Sequence, residues 1–183
     1  MAWSFDGTND YGQATIDMNG ADDVTVALWL YWDTNANDDD LLMEYGSPTY
    51  SAVNGFLVDW NASLYGGGKV VMAFYASGDV NYSFTRPSAA TWHHIMFTMD
   101  RGTSVAANKI KAWVDGTAQT MTQEVNTGTT GTAFANSTLN LMCRDGASLF
   151  GAGDVSELAL WRGINLDTTH ALRAISAAFR LLS

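Results

Sequence analysis

Twelve consecutive residues, Asp33-Thr34-Asn35-Ala36-Asn37-Asp38-Asp39-Asp40-Leu41-Leu42-Met43-Glu44, carry side-chain oxygens at relative positions 1, 3 and 5 and a glutamate at position 12. That is the ligand spacing of a calcium loop, in which carboxylate and amide oxygens hold a hard cation. Asp33, Asn35, Asn37 and Glu44 are therefore candidate Ca²⁺ ligands. Asp38 stands where such a loop needs glycine for its sharp turn, and Asp40 stands at the usual apolar position. A bare, solvated acidic loop is the alternative reading. No other pattern in the chain calls for a cofactor, and none is required.

Tyr50 and Tyr65 fall between apolar runs, in expected loops. A loop aromatic can stack its face on the apolar face of a sugar ring, so these two are the candidate ligand-binding residues. Other chemistries find no residues to run them. His93 and His94 are neighbours on an expected strand, where adjacent side chains point to opposite faces, and they cannot easily share a metal. Cys143 alternates with Leu139 and Leu141 and reads as a small core residue. Glycoside cleavage needs two carboxylates flanking the scissile bond. There are only three glutamates, Glu44, Glu124 and Glu157, and no strand carries acids at alternating positions. Asp154 and Glu157 would lie on opposite faces of a regular strand. Nucleophile-elbow, phosphate-loop and dinucleotide-binding glycine patterns are absent from the sequence. A non-enzymatic protein with no catalytic residues is the expectation.

The elements that would position these residues follow from period-2 alternation. Val24 to Trp32 alternates on both faces, so this strand should be covered on both sides. Phe56-Val58-Trp60, Val70-Met72-Phe74, Val80-Tyr82-Phe84, His93-Ile95-Phe97-Met99, Ile110-Ala112-Val114, Leu139-Leu141-Cys143 and Val155 to Trp161 continue the pattern. Asp115-Gly116, between two such runs, is the strongest hairpin signal, because both residues tolerate positive φ. Residues 126–137 read as a Thr/Gly-rich loop. Only the tail has helical spacing: Asp167 can cap it, and Leu172, Ile175, Phe179 and Leu182 then share one face.

Length and charge bound the rest. The chain has 183 residues, 47% hydrophobic and 15% charged, with 19 acids against 9 bases and a formal net charge of −10. Residues 1–68 contain eleven acids and no lysine or arginine. Phosphate backbones and anionic lipid both demand basic clusters, so neither nucleic acid nor membrane is an expected partner. The longest apolar run, Val24 to Trp32, is far short of the ~20 residues of a spanning helix. One domain covering residues 1–183 is expected.

Three segments, in order, resemble one family. Ser4-Phe5-Asp6-Gly7-Thr8-Asn9-Asp10-Tyr11 looks like the opening strand of laminin-G-like, concanavalin A-like domains. Trp92-His93-His94-Ile95 through Trp113-Val114-Asp115-Gly116 resembles their central pair of strands. Leu139-Asn140-Leu141, then Gly153 to Trp161, then the segment from Asp167 resemble the closing strands and terminal helix. The resemblance implies an all-β, antiparallel two-sheet jelly-roll sandwich with a short C-terminal helix. It also implies binding of glycans or proteins, with Ca²⁺ in some members. Ser156 departs from the acidic pair usual in the closing strand. The segment from Met1 shows no secretory signal. The leading expectation is a virion surface component, a phage capsid decoration or fibre protein, docking as a homo-oligomer on capsid proteins. The alternative is an extracellular carbohydrate-binding or adhesion module recognising cell-surface glycans.

Overall fold

The computed structural model describes residues 1–34, 39–129 and 133–166, with only the backbone at Val53 and Ala107. The described residues form thirteen strands: β1 (Trp3–Asp6), β2 (Gly12–Ile16), β3 (Asp23–Trp32), β4 (Leu41–Tyr45), β5 (Phe56–Ala62), β6 (Lys69–Tyr75), β7 (Asp79–Thr85), β8 (Trp92–Asp100), β9 (Ile110–Val114), β10 (Thr117–Ala118), β11 (Thr122–Asn126), β12 (Ser137–Leu141) and β13 (Ala152–Arg162). A six-stranded sheet runs β1-β13-β3-β8-β9-β10, and a seven-stranded sheet runs β11-β7-β6-β5-β4-β12-β2. Neighbouring strands pair antiparallel throughout, as the jelly-roll expectation requires.

The alternation seen in the sequence is the packing of the two sheets. Leu28 and Leu30 of β3 and Ile95 and Phe97 of β8 face Val58 and Trp60 of β5 and Met72 and Phe74 of β6 across one buried core. Because the side-chain period is 2, the intervening residues must point away from it. On the six-stranded sheet this outer face is itself apolar, with Ala27, Met96 and Trp113 buried against Trp161 and Leu166. Covering on both sides of β3 is what its apolar residues on both faces implied. The centre of the core is aromatic: Phe56 stacks on Tyr45 at 5.6 Å and meets Phe134 and Phe97 edge-on at 5.9 and 6.4 Å.

The Asp115-Gly116 hairpin forms between β9 and β10, with φ of 50° and 76° at the two residues. Asp115 does more than turn: its Oδ1 accepts the His94 N–H at 2.8 Å and its Oδ2 lies 2.7 Å from His93 Nδ1.

Three expectations change. Residues 41–44, placed in an acidic loop, belong to β4 instead. Strand β12 ends at Leu141, where Met142 turns with φ 59°. Cys143 is still fully buried, but in a turn beyond the strand, with its Sγ accepting the Gly146 N–H. Strand β13 is not regular: it bulges between Ser156 and Ala159, with Glu157 at φ 53°. The expected terminal helix from Asp167 lies outside the described residues. No helix among the described residues is long and apolar enough to cross a membrane.

Candidate functional site

A hollow of about 420 Å³ opens on the outer face of the seven-stranded sheet. Its floor follows from strand register. Leu57 of β5 pairs with Ala73 of β6, which pairs with Asn81 of β7; in the next row Asp59 pairs with Val71. Their sequence neighbours Phe56, Val58, Val70, Met72 and Val80 point into the core, so this second set must face outward. The floor is thus mainly aliphatic with two polar residues, Asp59 and Asn81, set into it.

Loops raise the walls. A 3₁₀ turn over Tyr50–Val53 brings Tyr50, and a second over Leu64–Gly66 brings Tyr65. Tyr50 packs with Leu149 on Leu41, Leu57 and Ala73. Its hydroxyl donates to Asp79 Oδ1 at 3.1 Å and its N–H donates to Glu44 Oε1 at 2.9 Å. Two glycines let this turn lie so close. A Cβ on Gly46 would come within 2.6 Å of the Tyr50 Cα, and one on Gly55 would overlap the Tyr45 carbonyl oxygen. Tyr65 adopts left-handed backbone, φ 63°, and its hydroxyl accepts a hydrogen bond from Asn81 Nδ2 at 3.3 Å. Asp39 and Arg144 complete the rim.

Beneath the rim lies an ion pair. Glu44 is fully buried; its Oε2 accepts from Arg144 Nε at 2.9 Å. Burial raises the Glu44 carboxyl above its ordinary range, against the lowering pull of the Tyr50 N–H and Arg144. Both Glu44 oxygens are thereby occupied. Glu44, a proposed calcium ligand, is a strand residue that anchors the Tyr50 turn. Asp33 closes β3, where its N–H donates to Ala152 O and its Oδ1 accepts from Thr34 Oγ1. Asn35 and Asn37 lie outside the described residues. Among the described residues no group of three or more metal-binding side chains is assembled.

The comparisons bear on the fold that carries this hollow. Residues 6–165 match the family described as the concanavalin A-like lectin/glucanases superfamily. The chain belongs to this superfamily. Among solved structures it is similar to a heptameric SAP-like pentraxin from Limulus polyphemus, with TM-score 0.63 and 12% identity, covering 93% of this chain and 79% of that one. It is similar to domains LG4-5 of the mouse laminin α1 chain, with TM-score 0.60 and 15% identity, covering 90% of this chain and 42% of that one. It is also similar to domain 4 of an extracellular arabinanase from Geobacillus stearothermophilus, solved in complex with arabinotriose, with TM-score 0.57 and 14% identity, covering 94% and 86%. No curated protein sequence matches.

Within this concanavalin A-like domain the remaining candidates sort simply. Tyr50 and Tyr65, fifteen residues apart, are brought together on one hollow. His93 and His94 do point to opposite faces: His93 is held by Asp115, and His94 is buried, edge-on to Trp29 at 5.4 Å. Sequence reasoning missed Asp59, Asn81 and Arg144. Only the alternation of β5 to β7 could have flagged the first two, as the polar members of outward rows. Arg144 reaches the site from a connection whose path no local pattern gives.

Asp59 carries a pH signature. Burial, reinforced by the charges of Asp39 and Asp40, pushes its carboxyl up to about 7, against the Asn61 N–H and Arg144. A folded state that holds this proton more tightly than the unfolded chain loses stability as pH rises from about 4 to about 7, at roughly 1.4 kcal/mol per unit. Asp59→Asn is therefore expected to match wild type near pH 4 and to exceed it by a few kcal/mol at pH 8. Urea unfolding at the two pH values checks this; equal stability at pH 8 would refute it.

Proposed function

We propose that the chain is a saccharide-binding module and that the hollow on its seven-stranded sheet is the site. The observation that carries this is the convergence of Tyr50 and Tyr65 over a floor of Leu57, Val71 and Ala73, in which buried Asn81 Oδ1 has no hydrogen-bond partner. A pyranose or furanose ring presents apolar C–H faces and hydroxyl edges. An apolar concavity with a few placed polar groups suits such a ligand. The arabinotriose bound to the similar arabinanase domain supports the ligand class.

A glycan array followed by calorimetry tests the reading. Tyr65→Ala is expected to weaken the best saccharide by about tenfold or more, equivalent to ~1.4 kcal/mol, without moving the melting temperature. Tyr50→Phe, which keeps the ring, is expected to retain most of the affinity that Tyr50→Ala loses. No saccharide binding at millimolar concentration, or binding indifferent to all three variants, overturns the proposal. Docking on capsid proteins draws on no feature of this hollow; co-sedimentation with mature empty shells that survives Tyr65→Ala would favour it instead.

Hydrolysis has one observation in its favour. Asp59 keeps its proton to about 7 in a hollow that Asp39 also lines, and glycoside cleavage pairs a protonated carboxyl with a second carboxylate. Binding remains the better reading because Asp39 is held on both oxygens by the Ser63 hydroxyl and on one by its N–H. Chromatography of the bound oligosaccharide after prolonged incubation separates the two, through intact ligand or new reducing ends.

A further inference from the structure

The floor of the hollow offers a carboxyl group with an unused oxygen. Asp59 is only 8% exposed, and its Oδ1 accepts the Asn61 N–H at 3.1 Å. Among the described residues no other hydrogen bond reaches this carboxyl, in a residue that lines the hollow. Asn81 Oδ1, on the same floor, is a second acceptor without a partner. The vacant positions therefore ask for donors.

The charges around them are one-sided. Asp39 lines the hollow, and among the described residues its carboxylate is held by Ser63, a neutral partner. On the cationic side, Arg144 reaches the hollow but is spent on the buried Glu44. Arg86 hydrogen-bonds the side chain of Asn61, and Lys69 is paired with Glu124 at 2.9 Å. Tyr50 and Tyr65 bring no charge. Of the charged side chains that line the hollow, Arg144 is paired with Glu44, which leaves the carboxyls of Asp39 and Asp59.

We infer that the hollow selects saccharides bearing a free amine, with the ammonium donating to Asp59 and the acidic rim, over their N-acetylated or acidic counterparts. The inference rests on the saccharide reading above. Hydrogen bonds between ionised partners are about twice as strong as neutral ones, and a concavity lined by one sign of charge concentrates the opposite sign. An arriving ammonium also offsets the two causes that keep the Asp59 proton in place, its burial and the neighbouring aspartates. Asp59 then releases that proton to solvent as the complex forms.

Calorimetry at pH 6.5 with three tetrasaccharides tests this: one of glucosamine, its fully N-acetylated form, and one of galacturonic acid. The glucosamine tetramer is expected to bind about tenfold or more tighter than the N-acetylated one, and the galacturonate weakest. Repeating the titration in buffers of different ionisation heat should show proton release for the amine form alone. Asp59→Asn, whose amide oxygen can still accept the Asn61 N–H, should bring the two hexosamine forms within about twofold of each other. Asp39→Asn should fall between. Equal affinities in the wild type, or an amine preference that survives Asp59→Asn, overturns the inference and leaves the saccharide reading standing. Absence of binding by every saccharide on the array overturns that reading itself.

Discussion

Replacing Phe56 by alanine is expected to cost about 3–5 kcal/mol of folding stability, the usual range for truncating a fully buried phenylalanine. Phe56 is 0% exposed. It lies on β5 of one sheet, stacks on Tyr45 of the adjacent β4, and meets Phe97 on β8 of the opposite sheet and Phe134 from the loop before β12. Each such aromatic pair adds ~0.5–1.5 kcal/mol beyond its buried area, and the side chain joins both sheets and a loop. Against a total stability of about 5–15 kcal/mol, the loss is roughly a fifth or more. Urea unfolding of Phe56→Ala beside Leu64→Ala is the measurement. Leu64 is 62% exposed and should stay within about 0.5 kcal/mol of wild type. A cost below ~1 kcal/mol for Phe56→Ala would mean that this aromatic cluster does not hold the sheets together.

The second large effect concerns charge. Arg144→Met leaves Glu44, whose side chain is fully buried, without its ion partner. Breaking a buried pair from one side costs about 3–5 kcal/mol; here about 2–4 is expected, because Arg144 is itself 31% exposed. The penalty should shrink at low pH, where Glu44 takes up a proton and needs no counter-charge. Adding Glu44→Gln to Arg144→Met should recover most of the loss, since glutamine still accepts the Tyr50 N–H while removing the stranded charge. The double-mutant cycle by thermal unfolding gives the coupling directly. Additive losses would show that the pair is not coupled. Because Glu44 also fixes the Tyr50 turn, Arg144→Met should weaken saccharide binding as well.

The strands that the sequence announced are those buried on a full face. Val24 to Trp32, Phe56 to Trp60 and Val70 to Phe74 alternate because the core demands it, and each is found where alternation put it. The strands that went unannounced have little burial to write into their residues. Gly12–Ile16 and Thr122–Asn126 sit at the two ends of the seven-stranded sheet, exposed or half-exposed throughout. Leu41–Tyr45 was hidden differently. Its five residues are all buried, but the oxygen-rich run before it offered a competing pattern. Glu44 fitted that pattern by number while its real partner, Arg144, lies a hundred residues away. Tyr50 and Tyr65 were legible as loop aromatics. Their meeting on one hollow was not, since it depends on the order of β4 to β7 in the sheet and on two glycines that admit a close backbone approach.

The place of β13 in the six-stranded sheet governs how the chain can be made. This strand lies between β1 and β3, pairing Trp3 with Val155 and Val24 with Arg162. Until residue 162 is available, β1 has no neighbour and β3 has one open side, so no N-terminal fragment can complete that sheet. Closing contacts so distant along the chain is slow, with all-β sandwiches folding in roughly milliseconds to seconds. A nascent chain must therefore keep its most apolar strand, Asp23–Trp32, with one edge unpaired until β13 has been made. Stalled or truncated products should be the aggregation-prone species of this protein, and the mature sandwich should not be.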